Sequence, residues 1–239
     1  CIEQAKLVTL TSVKTVKYYQ QKYPNHAHKF RLLPNVFDDA FINTTPIEFI
    51  GKIKFVLTGR LYGSRSIFQL MDAIERSIRI EPMFEDQSEF IFAGFFDQKN
   101  IDRIKQSKAK NVKYMGHLSM QEAIRLQQSS SVLVAIDALE QDPIFDLFFP
   151  SKLLDYFTAR RYILAITSKN STTHDLVDQK FGSCFNAENI HKLPDHLLFL
   201  TEQFFAKNRN LFEINENFME YSASQNAAKL EALLREVVE

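Results

Sequence analysis

Short apolar and β-branched runs alternate along the chain with segments in which apolar residues recur every three or four positions. The short runs are apolar at successive positions, which is typical of strands buried on both faces of a parallel sheet. Alternation of such strands with helical segments indicates right-handed βαβ units. We therefore predict an α/β fold with a Rossmann-like, doubly wound, mainly parallel sheet. The predicted strands are Lys6–Thr11, Lys29–Pro34, Ile53–Thr58, Glu89–Ala93, Asn111–Met115, Ser131–Asp137, Tyr162–Thr167 and Gly182–Phe185.

The segments between these strands have helical periodicity. The sequence Ser119-Met120-Gln121-Glu122 has the spacing of a capping box and predicts a helix start. The last segment, Ile214–Val238, is predicted to form one long amphipathic C-terminal helix, whose length suggests that it leaves its own domain and packs elsewhere. The other predicted helices are Val13–Lys22, Ser66–Ile80, Asn100–Gln106, Ser119–Gln128, Pro150–Ala159, Thr172–Gln179 and His191–Phe205.

One segment with little periodicity, Asn35–Lys52, is rich in Pro, Asn, Asp and Gly and is predicted to be an interdomain linker. The residues before it are too few to close a core of their own. We assign residues 1–45 to the tail of an N-terminal domain and the linker, 46–208 to a second domain, and 209–239 to a C-terminal helix that returns toward the N-terminal domain. About six strands within Lys52–Phe205 should form the sheet. The chain does not begin with Met, and we expect it to be part of a longer protein.

Composition narrows the functional class. The 239 residues carry 29 basic and 29 acidic side chains, so no bulk field attracts nucleic acid or an acidic membrane, and an anion site must be a local cluster. Cys1 and Cys184 cannot form a disulfide framework, and no Cys or His spacing predicts a metal site. The longest apolar runs fall far below the roughly 20 residues of a spanning helix, and no signal peptide is evident. These features favour a cytoplasmic protein.

Two segments supply candidate groups for binding a nucleotide diphosphate. In the first, an apolar strand ends at Gly59 and is followed by Arg60 and Arg65, whose guanidinium groups are strong donors to phosphate oxygens. In the second, a helix is predicted to open at Pro150, which leaves first-turn N–H groups free to meet an anion. These N–H groups belong to Ser151, Lys152 and Leu153. Asp155 follows one turn later, and its carboxylate could accept hydrogen bonds from the ribose.

Each of these residues also has an ordinary structural interpretation. Arg60 and Arg65 could be solvated surface charges, and Lys152 a helix-surface lysine. Asp155 could complement the helix dipole, and Ser151 could serve as a helix cap. The 22 Phe residues are most simply explained by core packing, and the cluster expected to wall a pocket is Phe145, Phe148 and Phe149.

Six motifs occur in an order that resembles the donor-binding C-terminal domain of family 4 ("group 1") glycosyltransferases, which have the GT-B fold. The resemblance extends from about Lys6 to the C-terminus, and Phe30–Asn35 resembles the last strand of the family's N-terminal domain. The six motifs are Gly59-Arg60-Leu61 with Arg65, Ile91-Phe92-Ala93-Gly94, Val112-Lys113-Tyr114-Met115-Gly116, Pro150-Ser151-Lys152 with Asp155-Tyr156, Ile163-Leu164-Ala165-Ile166, and Phe181-Gly182.

The resemblance implies roles for individual residues. Arg60 and Arg65 would neutralise the donor diphosphate, with Arg65 standing where the family usually has Lys. Asp155 would bind the ribose in place of the second glutamate of the family's E-x7-E motif, whose first glutamate is replaced here by Leu147. The nucleobase pocket would be lined by Tyr114, Met115, Gly116 and His117.

The function implied by the resemblance is transfer of a sugar from a nucleotide-diphosphate donor, a UDP- or GDP-sugar, to a glycan or lipid-linked acceptor. The reaction would be metal-independent and retaining, in bacterial polysaccharide or glycoconjugate biosynthesis, with the nucleotide sugar as a substrate and no cofactor. The enzyme would be cytoplasmic, with peripheral association at the inner face of the membrane allowed. A general base or an acceptor-binding group would come from the N-terminal domain, so we expect this chain alone to bind nucleotide but to be inactive.

Two other functions remain open at this point. A GT-B nucleotide-sugar epimerase would share the diphosphate site but would need a cluster of acid and base residues in the cleft. A non-catalytic nucleotide-sugar-binding subunit would explain why Leu147 replaces an acidic residue.

Overall fold

The architecture is a parallel α/β sheet accompanied by a small second sheet. A computed structural model describes residues 2–139, 142–178, 180–214 and 216–238, so Cys1 and the predicted end of the seventh helix at Gln179 lie outside the described residues. All eight predicted strands are confirmed. They are β1 (Val8–Leu10), β2 (Phe30–Leu32), β3 (Ile53–Leu61), β4 (Ser88–Phe96), β5 (Val112–Tyr114), β6 (Val132–Ile136), β7 (Tyr162–Ile166) and β8 (Gly182–Phe185).

Ten α-helices are present in the described segments, together with five short 3₁₀ turns. The capping box at Ser119 is present: the Ser119 side chain accepts from the Glu122 N–H, and the Glu122 carboxylate accepts in return. The helices are α1 (Val13–Lys22), α2 (Phe68–Ile80), α3 (Met83–Gln87), α4 (Gln98–Gln106), α5 (Met120–Gln128), α6 (Lys152–Ala159), α7 (Thr172–Val177), α8 (Leu193–Phe205), α9 (Arg209–Phe212) and α10 (Ala223–Val238).

The main sheet has six parallel strands in the order β5-β4-β3-β6-β7-β8. Successive strands are added in one direction from β3 to β5 and in the opposite direction from β6 to β8. The order therefore reverses between β3 and β6, and in open α/β sheets ligands bind at such a switch point, outside the carboxyl ends of the strands.

Helices cover both faces of the sheet, as the continuous apolar strands predict. Phe55 and Leu57 of β3 belong to one core, which includes residues of α2 and α8. Val56, the residue between them, belongs to the other core, which includes Tyr156 and Phe157 of α6. Because alternate side chains of a strand point to opposite faces, β3 is anchored from both sides, and the position of its carboxyl end is fixed.

The first residues form a unit separate from the main sheet. Strands β1 and β2 pair in parallel with each other alone, and α1 lies between them in sequence. The end of α10 reaches this unit, where Lys6 donates to the Val237 carbonyl at 2.7 Å and Arg31 pairs with Glu236. The assignment of this unit to an N-terminal domain stays a prediction.

The predicted C-terminal helix over Ile214–Val238 is too long: the helix begins at Ala223. The cause lies in the backbone hydrogen bonds just before it. The Phe37 N–H donates to the Tyr221 carbonyl at 3.1 Å, and the Ala223 N–H donates to the Phe37 carbonyl at 2.9 Å. Because the Ala223 N–H donates to Phe37, the helical hydrogen-bond pattern cannot extend toward the N-terminus. Glu216–Tyr221 forms a 3₁₀ turn instead.

The predicted linker packs against the domain that contains the main sheet. The Asn43 N–H donates to the Thr158 carbonyl at 2.8 Å, and the Arg161 guanidinium donates to the Thr45 carbonyl at 3.0 Å. Ile47 is buried in the core. Helix α3, which follows Pro82, was not predicted.

Candidate functional site

A cavity of about 500 Å³ opens at the switch point of the sheet. Its walls come from the loop after β3, the end of β6, the segment before α6 and the start of α7. This arrangement brings Arg65 and Lys152 together from distant parts of the sequence, as predicted. The cavity is lined by Tyr62, Gly63, Ser64, Arg65, Ala135, Ile136, Asp137, Phe145, Phe148, Phe149, Pro150, Ser151, Lys152, Leu153, Ser171 and Thr173; we call it the charged cavity.

Arg65 is positioned by a turn and by a buried amide. Its N–H donates to the Tyr62 carbonyl at 3.2 Å. The fully buried Asn100 side chain donates to the Arg65 carbonyl at 3.2 Å and accepts from the Ile67 N–H at 2.8 Å. The Arg65 guanidinium lies 3.6 Å from the Asp137 carboxylate and remains 40% exposed. It therefore has donors left for a ligand.

Lys152 is a half-buried cation at the centre of the site. Burial lowers the pKa of its ammonium group to about 8; Arg65 acts in the same direction, while Asp137 and Asp155 oppose the shift. Within the described residues the ammonium makes no hydrogen bond or close ion pair. A partly buried cation without a close partner carries a desolvation cost, and a bound anion would relieve that cost.

Asp137 is the residue at this site that sequence reasoning missed, because it seemed isolated from other acids. It follows β6 directly and is held by hydroxyl groups: Thr173 donates to its carboxylate at 2.5 Å and Thr167 at 3.4 Å. The signal that could have found it is its place, since the residue after a strand at the switch point faces the crevice.

The start of α6 corrects one prediction. The N–H of Leu153 is not free for an anion, because it donates to the Pro150 carbonyl at 3.0 Å. This bond spans three residues, so the first turn closes as a 3₁₀ turn and satisfies a donor that an α-helical turn would leave free. The N–H groups of Ser151 and Lys152 have no partner within the described residues and remain available.

A second cavity, of about 440 Å³, lies at the ends of β3 and β4. Of the predicted site residues, Gly59, Arg60 and His117 line it. Lys152 lines the charged cavity and lies against Gly59 of this second cavity, since a Cβ added to Gly59 would lie 3.0 Å from the Lys152 Cε. The lining consists of Thr58, Gly59, Arg60, Ala93, Gly94, Phe95, His117, Leu118 and Ala123; we call it the glycine cavity.

Close backbone packing builds the glycine cavity. Gly59 has φ +110° and Gly94 has φ +129°, and a Cβ on Gly94 would lie 1.8 Å from the Gly59 carbonyl oxygen. The Gly94 N–H donates to the Gly116 carbonyl at 2.7 Å. Only glycine fits where a strand end approaches its neighbour this closely, so the cavity floor is made of backbone.

Four predicted residues lie beside the cavities rather than in their walls. The Tyr114 hydroxyl donates to the Gly94 carbonyl at 2.8 Å, which makes it a support of the glycine cavity. Met115 is 52% exposed, and Gly116 acts through its carbonyl. Asp155 is solvent-accessible on α6; partial burial of its carboxyl raises its pKa, and the Lys152 cation opposes that shift.

The segment at Leu147 offers the charged cavity no acidic side chain among its described residues. The neighbouring Asp146 is 7% exposed and accepts from the Ser168 hydroxyl at 3.1 Å.

In the part of the chain that the structure describes, no group of three or more His, Cys, Asp or Glu side chains is placed to hold a metal ion. Among the described helices, none combines the length and apolarity needed to cross a membrane.

Comparison with known proteins gives fold relatives only. No protein-family model matches the chain, and no curated protein sequence matches it. A point mutant of S. aureus TarM, solved with fondaparinux, α-GlcNAc-glycerol and UDP, aligns with TM-score 0.66 at 16% identity and covers 97% of this chain and 44% of its own. The pneumococcal O-GlcNAc transferase GtfA, solved with UDP and GlcNAc, aligns with TM-score 0.68 at 11% identity and covers 99% of this chain and 46% of its own.

A third solved structure, the apo form of the lipopolysaccharide outer core galactosyltransferase WaaB, aligns with TM-score 0.66 at 14% identity. It covers 99% of this chain and 63% of its own. The chain thus spans about half to two thirds of the length of these proteins. Identities this low show the fold alone. The chain has the Rossmann-like α/β fold of these GT-B glycosyltransferases.

Proposed function

We propose that the chain is the donor-binding part of a glycosyltransferase that takes a sugar from a nucleotide diphosphate. The fold it shares with TarM, GtfA and WaaB supports transfer in general. The family 4 assignment, a retaining outcome, a glycan or lipid-linked acceptor and a role in polysaccharide or glycoconjugate synthesis at the cytoplasmic face are parts of the same proposal.

The observation that carries the proposal is the charge balance of the charged cavity. Lys152 and Arg65 are both cationic. Among the described residues, Asp137 is the only carboxylate within 4 Å of either cation, and it lies 3.6 Å from Arg65. Two N–H groups at the start of α6 add a positive partial charge at the same place. An anion with several oxygens, such as a diphosphate, would satisfy all of these donors.

The nucleoside would occupy the glycine cavity. Lys152 lines the charged cavity and lies against Gly59 of the glycine cavity, so a diphosphate bound there would connect a sugar on one side with a nucleoside on the other. Phe95 is 64% exposed in this wall and offers a face on which a base can stack, beside His117. Arg60 in the same wall would attract the α-phosphate, and Asp155 would accept from the ribose.

The chemistry follows from where the charge develops. When the glycosidic bond breaks, the nucleotide diphosphate leaves and its negative charge grows. Cations and helix N–H groups fixed at that place bind the transition state more tightly than the ground state. Since these groups supply the positive charge themselves, we propose that the leaving group departs without a metal ion.

A titration with nucleotides tests the proposal. The protein is titrated calorimetrically with UDP, GDP and ADP, and separately with pyrophosphate. We expect one nucleoside diphosphate to bind, and Arg65→Ala to weaken that binding by about 1.5 to 3 kcal/mol, the range for a hydrogen bond to a charged group. Failure of every nucleotide to bind, or unchanged affinity in Arg65→Ala, would contradict the proposal.

A second candidate, a non-catalytic nucleotide-sugar-binding subunit, is favoured by the segment around Leu147. Its acid, Asp146, is turned to Ser168 and would not stabilise a reacting sugar. Donor hydrolysis or transfer, assayed on the full-length protein, separates the two functions. A subunit would bind the nucleotide sugar with the same affinity and turn none of it over.

A further inference from the structure

The outer wall of the charged cavity is aromatic. Phe145 is 57% exposed, Phe148 is 53% exposed, and Tyr62 opposite them is 54% exposed. The two phenylalanine rings lie 6.4 Å apart with an angle of 50° between their planes. Exposed apolar side chains that are gathered around one cavity mark a ligand-binding surface, whereas the same residues scattered singly would need no explanation.

Hydrogen bonds behind the wall hold these rings outward. The Asp142 carboxylate accepts from the Ile144 N–H at 2.9 Å and caps the turn that carries Phe145. The Thr172 hydroxyl lies 3.0 Å from the carbonyl oxygens of both Asp146 and Leu147. These hydrogen bonds hold the backbone of the segment in place, and its two phenylalanine rings line the cavity.

The aromatic wall lies next to the proposed diphosphate site. Phe148 and Lys152 line the same cavity and are four residues apart, which limits the distance between their Cα atoms to about 13 Å. In a nucleotide sugar, the sugar is bonded directly to the terminal phosphate. A sugar on a diphosphate held by Lys152 and Arg65 would therefore share the cavity with the aromatic wall.

We infer that Phe145 and Phe148 form the sugar subsite and bind the apolar C–H face of the donor sugar by stacking. This rests on the proposed function. The inference assigns to the two rings the contact with the sugar that no acidic side chain of the described segment makes. Aromatic contacts of this kind contribute about 0.5–1.5 kcal/mol beyond the apolar area that they bury.

The test compares a nucleotide with its sugar conjugate. Calorimetry measures the affinity for UDP and for UDP-glucose, or for GDP and GDP-mannose if guanine is the base that binds. We expect Phe148→Ala to weaken binding of the conjugate about tenfold and binding of the nucleotide less than twofold. Phe148→Trp keeps the ring and should retain the affinity for the conjugate, whereas Phe148→Leu keeps an apolar group without the ring and should lose most of it.

The control variant is Phe199→Ala. Phe199 lies on α8, lines a groove remote from both cavities and is 43% exposed, which makes it a matched surface phenylalanine. It should change neither affinity. Equal loss for nucleotide and conjugate in Phe148→Ala, or no loss for either, would overturn the inference.

The outcomes also separate the inference from the proposed function. If neither nucleotide nor conjugate binds the unaltered protein, the proposed function fails and the inference falls with it. If the nucleotide binds but the three Phe148 variants have the same affinity for the conjugate, only the inference fails. An unchanged donor affinity with a raised KM for a lipid-linked acceptor would assign the wall to the acceptor's chain instead of the donor sugar.

Discussion

The two cavities at the carboxyl end of the sheet are built in different ways. The charged cavity is formed by side chains from four separate segments, and its key groups are placed by hydrogen bonds such as those of Asn100 to the Arg65 turn. The glycine cavity depends on two strand ends whose backbones are in close contact at Gly59 and Gly94. One is specified by charge and the other by shape.

This difference teaches which substitutions each cavity tolerates. Removing a charge from the first should reduce affinity and leave the fold intact, because Arg65 and Lys152 are only half-buried. Adding an atom to the floor of the second should damage the fold itself. The two classes of variant therefore give separate readouts of one proposed site.

The largest effect is expected from Gly94→Ala. Its Cβ would lie 1.8 Å from the Gly59 carbonyl oxygen, in a backbone conformation that strains any other residue, so we expect a loss of more than about 3 kcal/mol in the free energy of unfolding. The matched control is Gly63→Ala in the charged cavity, where φ is +66° but no atom lies within 4 Å of the Cβ. It should cost only the left-handed strain of about 1–2 kcal/mol. Urea unfolding measures both, and equal losses would contradict the comparison.

The next effect separates the cations of the two cavities. We expect Lys152→Met to weaken nucleoside-diphosphate binding by about 2–3 kcal/mol, because it removes the cation of the charged cavity that lies next to the glycine cavity. Arg60 is exposed and makes no hydrogen bond or ion pair within the described residues, so Arg60→Gln should cost less than about 1 kcal/mol. Calorimetric titrations of both variants check the order, and a larger loss in Arg60→Gln would reverse the roles of the two sites.

A third prediction concerns pH. The pKa of Lys152 is about 8 in the free protein, and a bound anion must raise it, since only the protonated form attracts phosphate. Affinity should therefore change by no more than about twofold between pH 7 and 8 and fall as pH rises above 8, by up to about tenfold per unit. Lys152→Arg keeps its charge throughout and should bind equally at pH 7 and pH 9. The same decline with pH in both proteins would remove Lys152 from the account.

A smaller effect than that of Lys152→Met is expected from Asp155→Ala, which removes the acceptor that Asn would keep. The Asp155 carboxylate is proposed to accept from the ribose, so the variant should bind the nucleoside diphosphate about fivefold more weakly, the value of a net hydrogen bond. Pyrophosphate has no ribose and should bind the variant and the unaltered protein alike. A parallel loss of pyrophosphate would show that Asp155 supports the structure of the site instead of binding the ribose.

The sequence was sufficient to predict the sheet, most of its helices and the meeting of Arg65 with Lys152. Apolar runs and helical periods are local signals, and the topology rules for parallel sheets bring strand ends together. The break before Ala223 could not be predicted, since it depends on the hydrogen bond that the Ala223 N–H donates to Phe37, a residue distant in sequence. Asp137 and the division of the site into two cavities depend on distances between segments that no periodicity encodes.

The central claim is that the two cavities are halves of one nucleotide-sugar site joined at Lys152. A crystal structure of the protein with bound UDP or GDP tests it most directly. We predict that phosphate oxygens lie within hydrogen-bond distance of the Lys152 ammonium and the Arg65 guanidinium, and that the base lies in the glycine cavity beside His117. A nucleotide bound with its phosphates away from both cations, or with its base in the charged cavity, would contradict it.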